Sequence, residues 1–162
     1  MTTLDRCLEF LDKANIWYTV TRHSLAFRAL DVAIAEHLSP RKLAKTVVYA
    51  TRQGYGFAVI PADCLVSMSM LGRLLNDHSL RLANETELGQ LFPECELGAM
   101  PPLGNLFQLP VIVDAAVAQQ EFIAFNGGTH REVIHMSYGD FAHLVKPAVG
   151  DFAFTAIEQP VA

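Results

Sequence analysis

Two pairs of strand-like runs, each closed by a short turn that contains glycine, limit the folds open to this chain. The first pair covers residues 46–51 and 56–60, and the second covers residues 121–125 and 132–136, with Asn126-Gly-Gly128 at its turn. β-branched and aromatic residues favour strands, and glycine turns of this length join neighbouring strands antiparallel. We therefore predict a largely antiparallel sheet instead of a series of strand-helix-strand crossovers.

Helical patterns surround these hairpins. Leu4, Leu8 and Leu11 recur at helical spacing behind Thr2 or Thr3, either of which can cap a helix. Further helices are expected over about 26–37, over 68–75, after Asn84 and after Ser137, and further strands at 16–21, 80–83 and 110–114. We predict one α+β domain over residues 1–162, with a mixed, mostly antiparallel sheet or a partly closed barrel and flanking helices.

The basic residues are unevenly distributed. The net charge of −5 argues against a long nucleic-acid duplex as a partner, because phosphates bind mainly to Lys and Arg. Residues 22–52 nevertheless hold six of the twelve basic residues and only two acids, whereas residues 83–162 carry a net charge of −8. This pattern predicts one basic face suited to a few phosphates. Its candidate residues are Arg22, Arg28, Arg41, Lys42, Lys45 and Arg52.

Several function classes lack their sequence signatures. The chain has no phosphate-binding glycine loop, no dinucleotide-binding glycine pattern, no nucleophile elbow and no zinc-protease helix motif. Its six histidines show no ligand spacing, so we expect no metal and no cofactor. Cys7, Cys64 and Cys95 are widely spaced and are expected to be reduced thiols. With no long apolar window and no signal-peptide pattern, we expect a cytoplasmic protein without a membrane partner.

Two features could carry chemistry. Lys45 stands at the entrance of an apolar strand, where its ammonium could hold a carbonyl or phosphate oxygen. The loop Gly98-Ala-Met-Pro-Pro-Leu-Gly104 combines stiffening prolines with permissive glycines, so its N–H groups could point at an ester carbonyl and stabilise an oxyanion. Taken singly, each feature is more typical of plain structure, as a strand-end lysine that reaches solvent and as a tight turn.

Five segments, taken in order, resemble the YbaK/ProX family, which includes the editing domain inserted in bacterial prolyl-tRNA synthetase. The resemblance runs from about residue 23 to residue 145. The segments are Leu43-Ala-Lys-Thr-Val-Val-Tyr49, Ala58-Val-Ile-Pro-Ala62, Leu80-Arg-Leu-Ala-Asn-Glu-Thr-Glu-Leu88, the 98–104 loop and Ala124-Phe-Asn-Gly-Gly-Thr-His130. The resemblance implies a YbaK-like fold and a free-standing enzyme that hydrolyses the ester of a mischarged aminoacyl-tRNA, tRNA-Pro or a related one, in trans. A synthetase is an implied partner, and duplex DNA is not.

The resemblance also implies roles for individual residues. Lys45 would contact the terminal adenosine or its phosphate, and the backbone of Gly98 would receive the aminoacyl carbonyl. Water would then attack with help from substrate groups such as the terminal ribose hydroxyl. The implied substrate-binding residues are Thr46, Met100, Pro101, Gly128 and His130, and the implied tRNA-binding residues are Arg22, Arg28, Arg41 and Lys42. Relatives that remove alanine carry Asn where this chain has Thr46, so the amino acid removed stays open.

Two other functions remain open on sequence grounds. The first is a binding module without turnover, which would hold a nucleotide or tRNA or dock on a synthetase. The second is a cysteine hydrolase that uses Cys95 or Cys64, for which replacement of the cysteine by alanine would abolish activity.

Overall fold

The computed structural model describes residues 1–23 and 29–155, and this part of the chain contains six α-helices and ten strands. The helices are α1 (Thr3–Lys13), α2 (Ala29–Ala35), α3 (Met68–Leu75), α4 (Glu85–Leu91), α5 (Ala115–Ala118) and α6 (Tyr138–Val145). The strands are β1 (Tyr18–Arg22), β2 (Ala44–Thr51), β3 (Gly54–Pro61), β4 (Cys64–Val66), β5 (Arg81–Leu82), β6 (Val111–Asp114), β7 (Phe122–Asn126), β8 (Glu132–Ser137), β9 (Ala148–Gly150) and β10 (Ala153–Thr155).

Both predicted hairpins are confirmed. β2 and β3 pair antiparallel along their whole length, from Ala44 opposite Pro61 to Thr51 opposite Gly54. This hairpin forms the middle of a five-stranded sheet of order β5-β2-β3-β6-β9, in which β6 and β9 are added parallel. The β7–β8 hairpin pairs with β1 in a three-stranded antiparallel sheet, and β4 pairs with β10.

The α+β class with mixed, mostly antiparallel sheets is therefore confirmed, but the barrel alternative is not. The five-stranded sheet ends in β5 on one side and β9 on the other, so the strands within residues 1–23 and 29–155 do not close a barrel.

The two larger sheets meet at one place. Leu43 and Ala124 form an isolated parallel bridge, and the Ala124 N–H donates to the Lys42 carbonyl at 2.9 Å. The largest core cluster fills the space between the two sheets and includes Val48 and Phe125. Smaller clusters cover the outer faces, one under α2 and one under α3. The start of β2 therefore lies where the three core clusters come together.

Helix caps follow the sequence closely. Thr2 and Asp5 form a capping box on α1, Asn84 and Glu87 form one on α4, and the Ser137 hydroxyl accepts from the N–H of Asp140 at the start of α6. These side chains satisfy N–H groups that a helix start leaves unpaired. The predicted bounds of α3 are also confirmed.

Some boundaries and short elements differ from expectation. β1 begins at Tyr18 and not at residue 16, and α2 covers Ala29–Ala35, while residues 24–28 lie outside the described part. β4, α5, β9 and β10 were not predicted, because three or four residues are too few to show a period and pairing with distant strands defines them. The chain beyond residue 151 thus contributes β10, which ends at Thr155.

The start of α4 is held by a charged network that predicts acid sensitivity. Arg81 binds the Glu87 carboxylate with two bonds of 2.6 and 3.0 Å, and the Tyr55 hydroxyl donates to the same group. These bonds, with Arg81 first, lower the pKa of Glu87 from 4.5 to about 2. A carboxyl with a lowered pKa stabilises the fold above its unfolded pKa, and that contribution is lost as pH falls through the folded value.

We expect the urea midpoint of the wild type to fall between pH 4.5 and pH 2 more steeply than that of Glu87→Gln, which has no carboxylate to protonate. At pH 7 the variant should be the less stable of the two. If the urea midpoint fell equally steeply with decreasing pH in both proteins, this network would not contribute to stability.

Candidate functional site

Lys45 is the second residue of β2. Its side chain lies on the face of the strand opposite the main core cluster. Its ammonium donates to the backbone carbonyl of Cys64 at 2.8 Å. Partial burial lowers the pKa of Lys45, and the nearby Cys64 and Asp63 oppose that shift. A lysine ammonium has three donors. One donor is committed to Cys64, so the other two can meet oxygens of a ligand.

Gly98 occupies an exposed position that favours glycine. Its φ of +83° is a left-handed conformation, whereas an added Cβ would lie 3.6 Å from His130 Cε1, an ordinary contact. The backbone conformation therefore requires glycine here, and the available space does not. The loop is tied to the turn after β7, because Gly128 N–H donates to Ala99 O and Glu96 N–H donates to Gly128 O, each at 2.9 Å.

His130 holds the peptide group that precedes Gly98. Its side chain is 5% exposed, and its Nε2 lies 2.6 Å from the Leu97 carbonyl oxygen. A carbonyl only accepts, so Nε2 carries the proton in this contact. The Leu97 C=O and the Gly98 N–H belong to one planar trans peptide and point in opposite directions. The bond to His130 therefore directs the Gly98 N–H away from the histidine.

The structure thus brings together Gly98, Gly128 and His130 among the residues proposed from sequence. Met100 and Pro101 are buried behind Gly98, and Met100 belongs to the main core cluster. Gly128 has a φ of +99° and packs against Thr3 of α1, where an added Cβ would lie 2.6 Å from the Thr3 Cβ. The role of Gly128 is therefore explained by close packing between α1 and the turn.

Thr46 points away from Lys45. Successive side chains on a strand alternate between faces, and the neighbours of Thr46 on its face, Ala44 and Val48, belong to the main core cluster that also contains Met100. Thr46 is 6% exposed, and its hydroxyl is buried without a hydrogen-bond partner in the described part of the chain. The structure places Thr46 behind the sheet, with Met100, and Lys45 in front of it.

One polar residue of this region was not singled out from sequence. Asn126 ends β7, is 7% exposed, and its Oδ1 is buried without a partner among the residues that the structure describes. Asn126 immediately precedes the glycine pair that holds the loop. A polar side chain at the end of an apolar strand was visible in the sequence, but its burial was not.

The proposed tRNA-binding residues differ in their surroundings. Arg41 lies 3.5 Å from the Asp63 carboxylate and donates to the Cys64 sulfur at 3.7 Å, close to the acceptor of Lys45. Arg22 is mostly exposed and 3.9 Å from Glu132, and Lys42 is exposed. Arg28 lies outside the described residues.

The cysteines are poor candidates for a nucleophile. Burial raises the pKa of the Cys64 thiol to about 11 and also raises the pKa of Cys95. Cys95 lies 3.4 Å from the Thr3 hydroxyl, and Cys64 lies near Asp63, whose charge adds to the shift. The nucleophilic form of cysteine is the thiolate. At neutral pH both thiols therefore stay protonated.

Residues 1–23 and 29–155 contain no group of three or more His, Cys, Asp or Glu side chains placed to hold a metal, and none of the helices in these residues is long and apolar enough to cross a membrane. A groove of about 500 Å3 lies at the turn of the β2–β3 hairpin and includes Thr51 and Gly54. It is roughly 20 Å along β2 from Lys45, at about 3.3 Å per residue.

Replacing Gly98 by alanine tests the backbone requirement. We expect Gly98→Ala to fold but to lose about 1–2 kcal/mol of stability, because an L-residue is strained at positive φ. Gly89→Ala is the matched control, since Gly89 lies inside α4 with open space around it and alanine favours helices. Urea unfolding should order the stabilities as Gly89→Ala, wild type, Gly98→Ala; a Gly98→Ala protein as stable as the wild type would contradict the requirement.

Comparisons with known proteins identify the family and the fold of the chain. The sequence model of a family described as the aminoacyl-tRNA editing domain matches residues 23–144. Over 76 residues the chain is 34% identical to the proline–tRNA ligase of Fervidobacterium nodosum, a match that covers 47% of this chain and 13% of the ligase. The chain therefore corresponds to a small part of that relative.

Two solved structures share the fold. A candidate trans-editing enzyme for prolyl-tRNA synthetase superposes with a TM-score of 0.80 at 19% identity, covering 94% of this chain and 97% of that one. A scaffold protein redesigned by backbone grafting to present linear epitopes gives a TM-score of 0.82 at 18% identity, with coverage of 94% and 97%. These likenesses concern the fold.

Proposed function

Because the chain belongs to the aminoacyl-tRNA editing domain family, we propose that it is a deacylase that hydrolyses the ester of a mischarged aminoacyl-tRNA in trans, on tRNA-Pro or a related tRNA. The observation that carries the proposal is the fixed peptide group before Gly98, whose N–H is directed away from the buried His130 by the bond from His130 to Leu97. A fixed donor of this kind stabilises the charge that develops on an acyl oxygen.

Such an activity compensates for a physical limit on how well a synthetase selects its amino acid. A synthetase pocket rejects a side chain that is one methylene smaller by only about 1–3 kcal/mol, so wrong amino acids reach the tRNA and a second, hydrolytic site is needed. The candidate trans-editing enzyme with the same fold supports this role. A synthetase is the partner from which the mischarged tRNA would come.

The reaction needs little chemistry from the protein. The Gly98 N–H would donate a hydrogen bond to the acyl carbonyl oxygen, and the two uncommitted donors of Lys45 would hold oxygens of the terminal nucleotide. Water adds to the acyl carbon, the bond to the ribose oxygen breaks, and a proton from the water ends on that oxygen. Positioning and electrostatic stabilisation supply the rate. This is consistent with the protonated thiols of Cys64 and Cys95.

The remaining proposed contacts surround this centre. Arg22, Arg28, Arg41 and Lys42 would bind phosphates of the tRNA, with Arg41 oriented by Asp63. Met100 and Pro101 would form the floor of the acyl pocket, and Thr46 would act from behind β2 by shaping that floor. The amino acid preferred would then depend on packing under Gly98.

Lys45 provides the main test. We expect Lys45→Ala, and Lys45→Met, which keeps the apolar stem, to lower deacylation at least about 100-fold, because without this anchor for the terminal nucleotide the ester is misplaced at Gly98. Each variant also loses the bond to Cys64, at a cost to stability of about 1 kcal/mol. The measurement is ester loss from Ala-, Cys-, Ser- and Thr-tRNA-Pro. Lys13→Ala is the control, because the Lys13 side chain is 74% exposed and pairs with Glu9 on the helix surface.

Two results would contradict the proposal in different ways. A Lys45→Ala protein that works at the wild-type rate would remove Lys45 from the site. Wild-type protein that binds tRNA but releases no amino acid from a broad panel would favour the binding module.

The cysteine alternative makes the opposite prediction for Cys64 and Cys95. We expect Cys64→Ala and Cys95→Ala to hydrolyse the same esters within about threefold of the wild type, because neither thiol is a thiolate at neutral pH. Lys45 binds the backbone oxygen of residue 64, which alanine keeps. Loss of turnover in a folded cysteine variant would instead identify the nucleophile of a cysteine hydrolase.

A further inference from the structure

Asn126 lies on the same side of the molecule as Lys45. The parallel bridge joins Leu43 to Ala124, and Lys45 and Asn126 each follow their bridged residue by two positions. Side chains two apart on an extended segment point to the same face. Asn126 also pairs with Val133 across the β7–β8 hairpin, and Val133 belongs with Leu43 and Ala124 to one buried cluster. The Asn126 and Lys45 side chains therefore leave their strands in a common direction.

Asn126 also leads directly into the other half of the site. The next residues, 127–130, form the turn that accepts from Glu96, donates to Ala99 and carries His130. Along the chain Asn126 thus lies between two segments. Ala124 before it is bridged to Leu43 next to β2, the strand that carries Lys45, and the turn after it holds the loop with Gly98. Asn126 is the polar residue at the junction of the two halves.

The fold gives the Asn126 oxygen no hydrogen bond. The residue is 93% buried, since only 7% of its surface is exposed, and its Oδ1 has no partner within the described residues. A buried acceptor without a partner costs about 1–3 kcal/mol, and a leucine of similar size would avoid that cost. The other polar groups at this junction, Lys45 and His130, have acceptors in the fold. A hydrogen-bond donor on a bound ligand would satisfy the Asn126 side-chain oxygen.

We propose that Asn126 is a further substrate-binding residue, whose side-chain oxygen accepts a hydrogen bond from the free hydroxyl of the terminal ribose. The inference rests on the proposed deacylase function. With the terminal nucleotide on Lys45 and the acyl carbonyl on Gly98, the group between them is the ribose diol, in which one hydroxyl carries the ester and the other is free. A hydroxyl donates to an amide oxygen, and it is the group that marks RNA. Asn126 would thereby fix the ester between its two anchors.

The test combines two substrates with two variants. The substrates are aminoacyl-tRNAs esterified at the 3′ oxygen that end in adenosine or in 2′-deoxyadenosine. We expect Asn126→Leu to lower kcat/KM about 10-fold on the first substrate and less than about twofold on the second, since one hydrogen bond is lost only where the hydroxyl exists. Asn126→Asp keeps an acceptor and should stay within about threefold of the wild type on both. Asn105→Leu, the same exchange at an exposed site, is the control.

A second measurement covers a variant that turns over too slowly. The Kd of a non-hydrolysable 3′-aminoacylamido adenosine should rise about 10-fold in Asn126→Leu, and the rise should vanish when the analogue lacks the 2′ hydroxyl. Folding of each variant is checked by circular dichroism.

The outcomes separate this contact from the function on which it rests. Equal losses on both substrates, or no loss on either, would overturn the contact while wild-type turnover upheld the deacylase. A loss that persists on the deoxy substrate but disappears when the amino group is acetylated would also overturn it, because Asn126 would then bind the α-ammonium. Wild-type protein inactive on every aminoacyl-tRNA would overturn the deacylase proposal and this contact with it.

Discussion

The bond from the Ala124 N–H to the Lys42 carbonyl, with the bridge between Leu43 and Ala124, joins the two main sheets. It fixes the entrance of β2 beside the end of β7. The largest core cluster packs the two sheets against each other, and this junction fixes where β2 and β7 meet. The junction fixes the position of Lys45 relative to the turn that follows β7. The geometry of the candidate site therefore depends on how the two sheets pack.

Backbone groups dominate this site. Lys45 is held by the carbonyl of residue 64, His130 by the carbonyl of residue 97, and the loop by N–H to carbonyl bonds with the turn at 127–130. Because the acceptors are backbone carbonyls, these contacts survive substitution of Cys64 or Leu97, but not of Lys45 or His130. The chain shares its fold with the two solved structures at under 20% identity.

Sequence predicted the local features of this molecule well. Glycine turns located both hairpins, and the candidate caps Thr2 and Asn84 identified helix starts, because each depends on residues close in the chain. The resemblance to the editing family, confirmed by the match over residues 23–144, named Lys45 and Gly98. Neither route could find Asn126, whose burial depends on the distant pairing of residues 43 and 124. The bond from His130 to Leu97 likewise depends on the tertiary fold.

Residues outside the matched range 23–144 make contacts that stabilise it. Thr3 of α1 packs against Gly128, and the Thr3 hydroxyl donates to the Glu94 carbonyl in the segment that leads to the loop. On the other side, the N–H groups of Phe152 and Ala153 donate to the buried Asp114 carboxylate at 2.9 and 2.8 Å. Removing these donors would leave a buried charge with fewer partners. Residues 23–144 contain the candidate site, but the position of its loop depends on α1 and the stability of its sheet on the segment around residue 152.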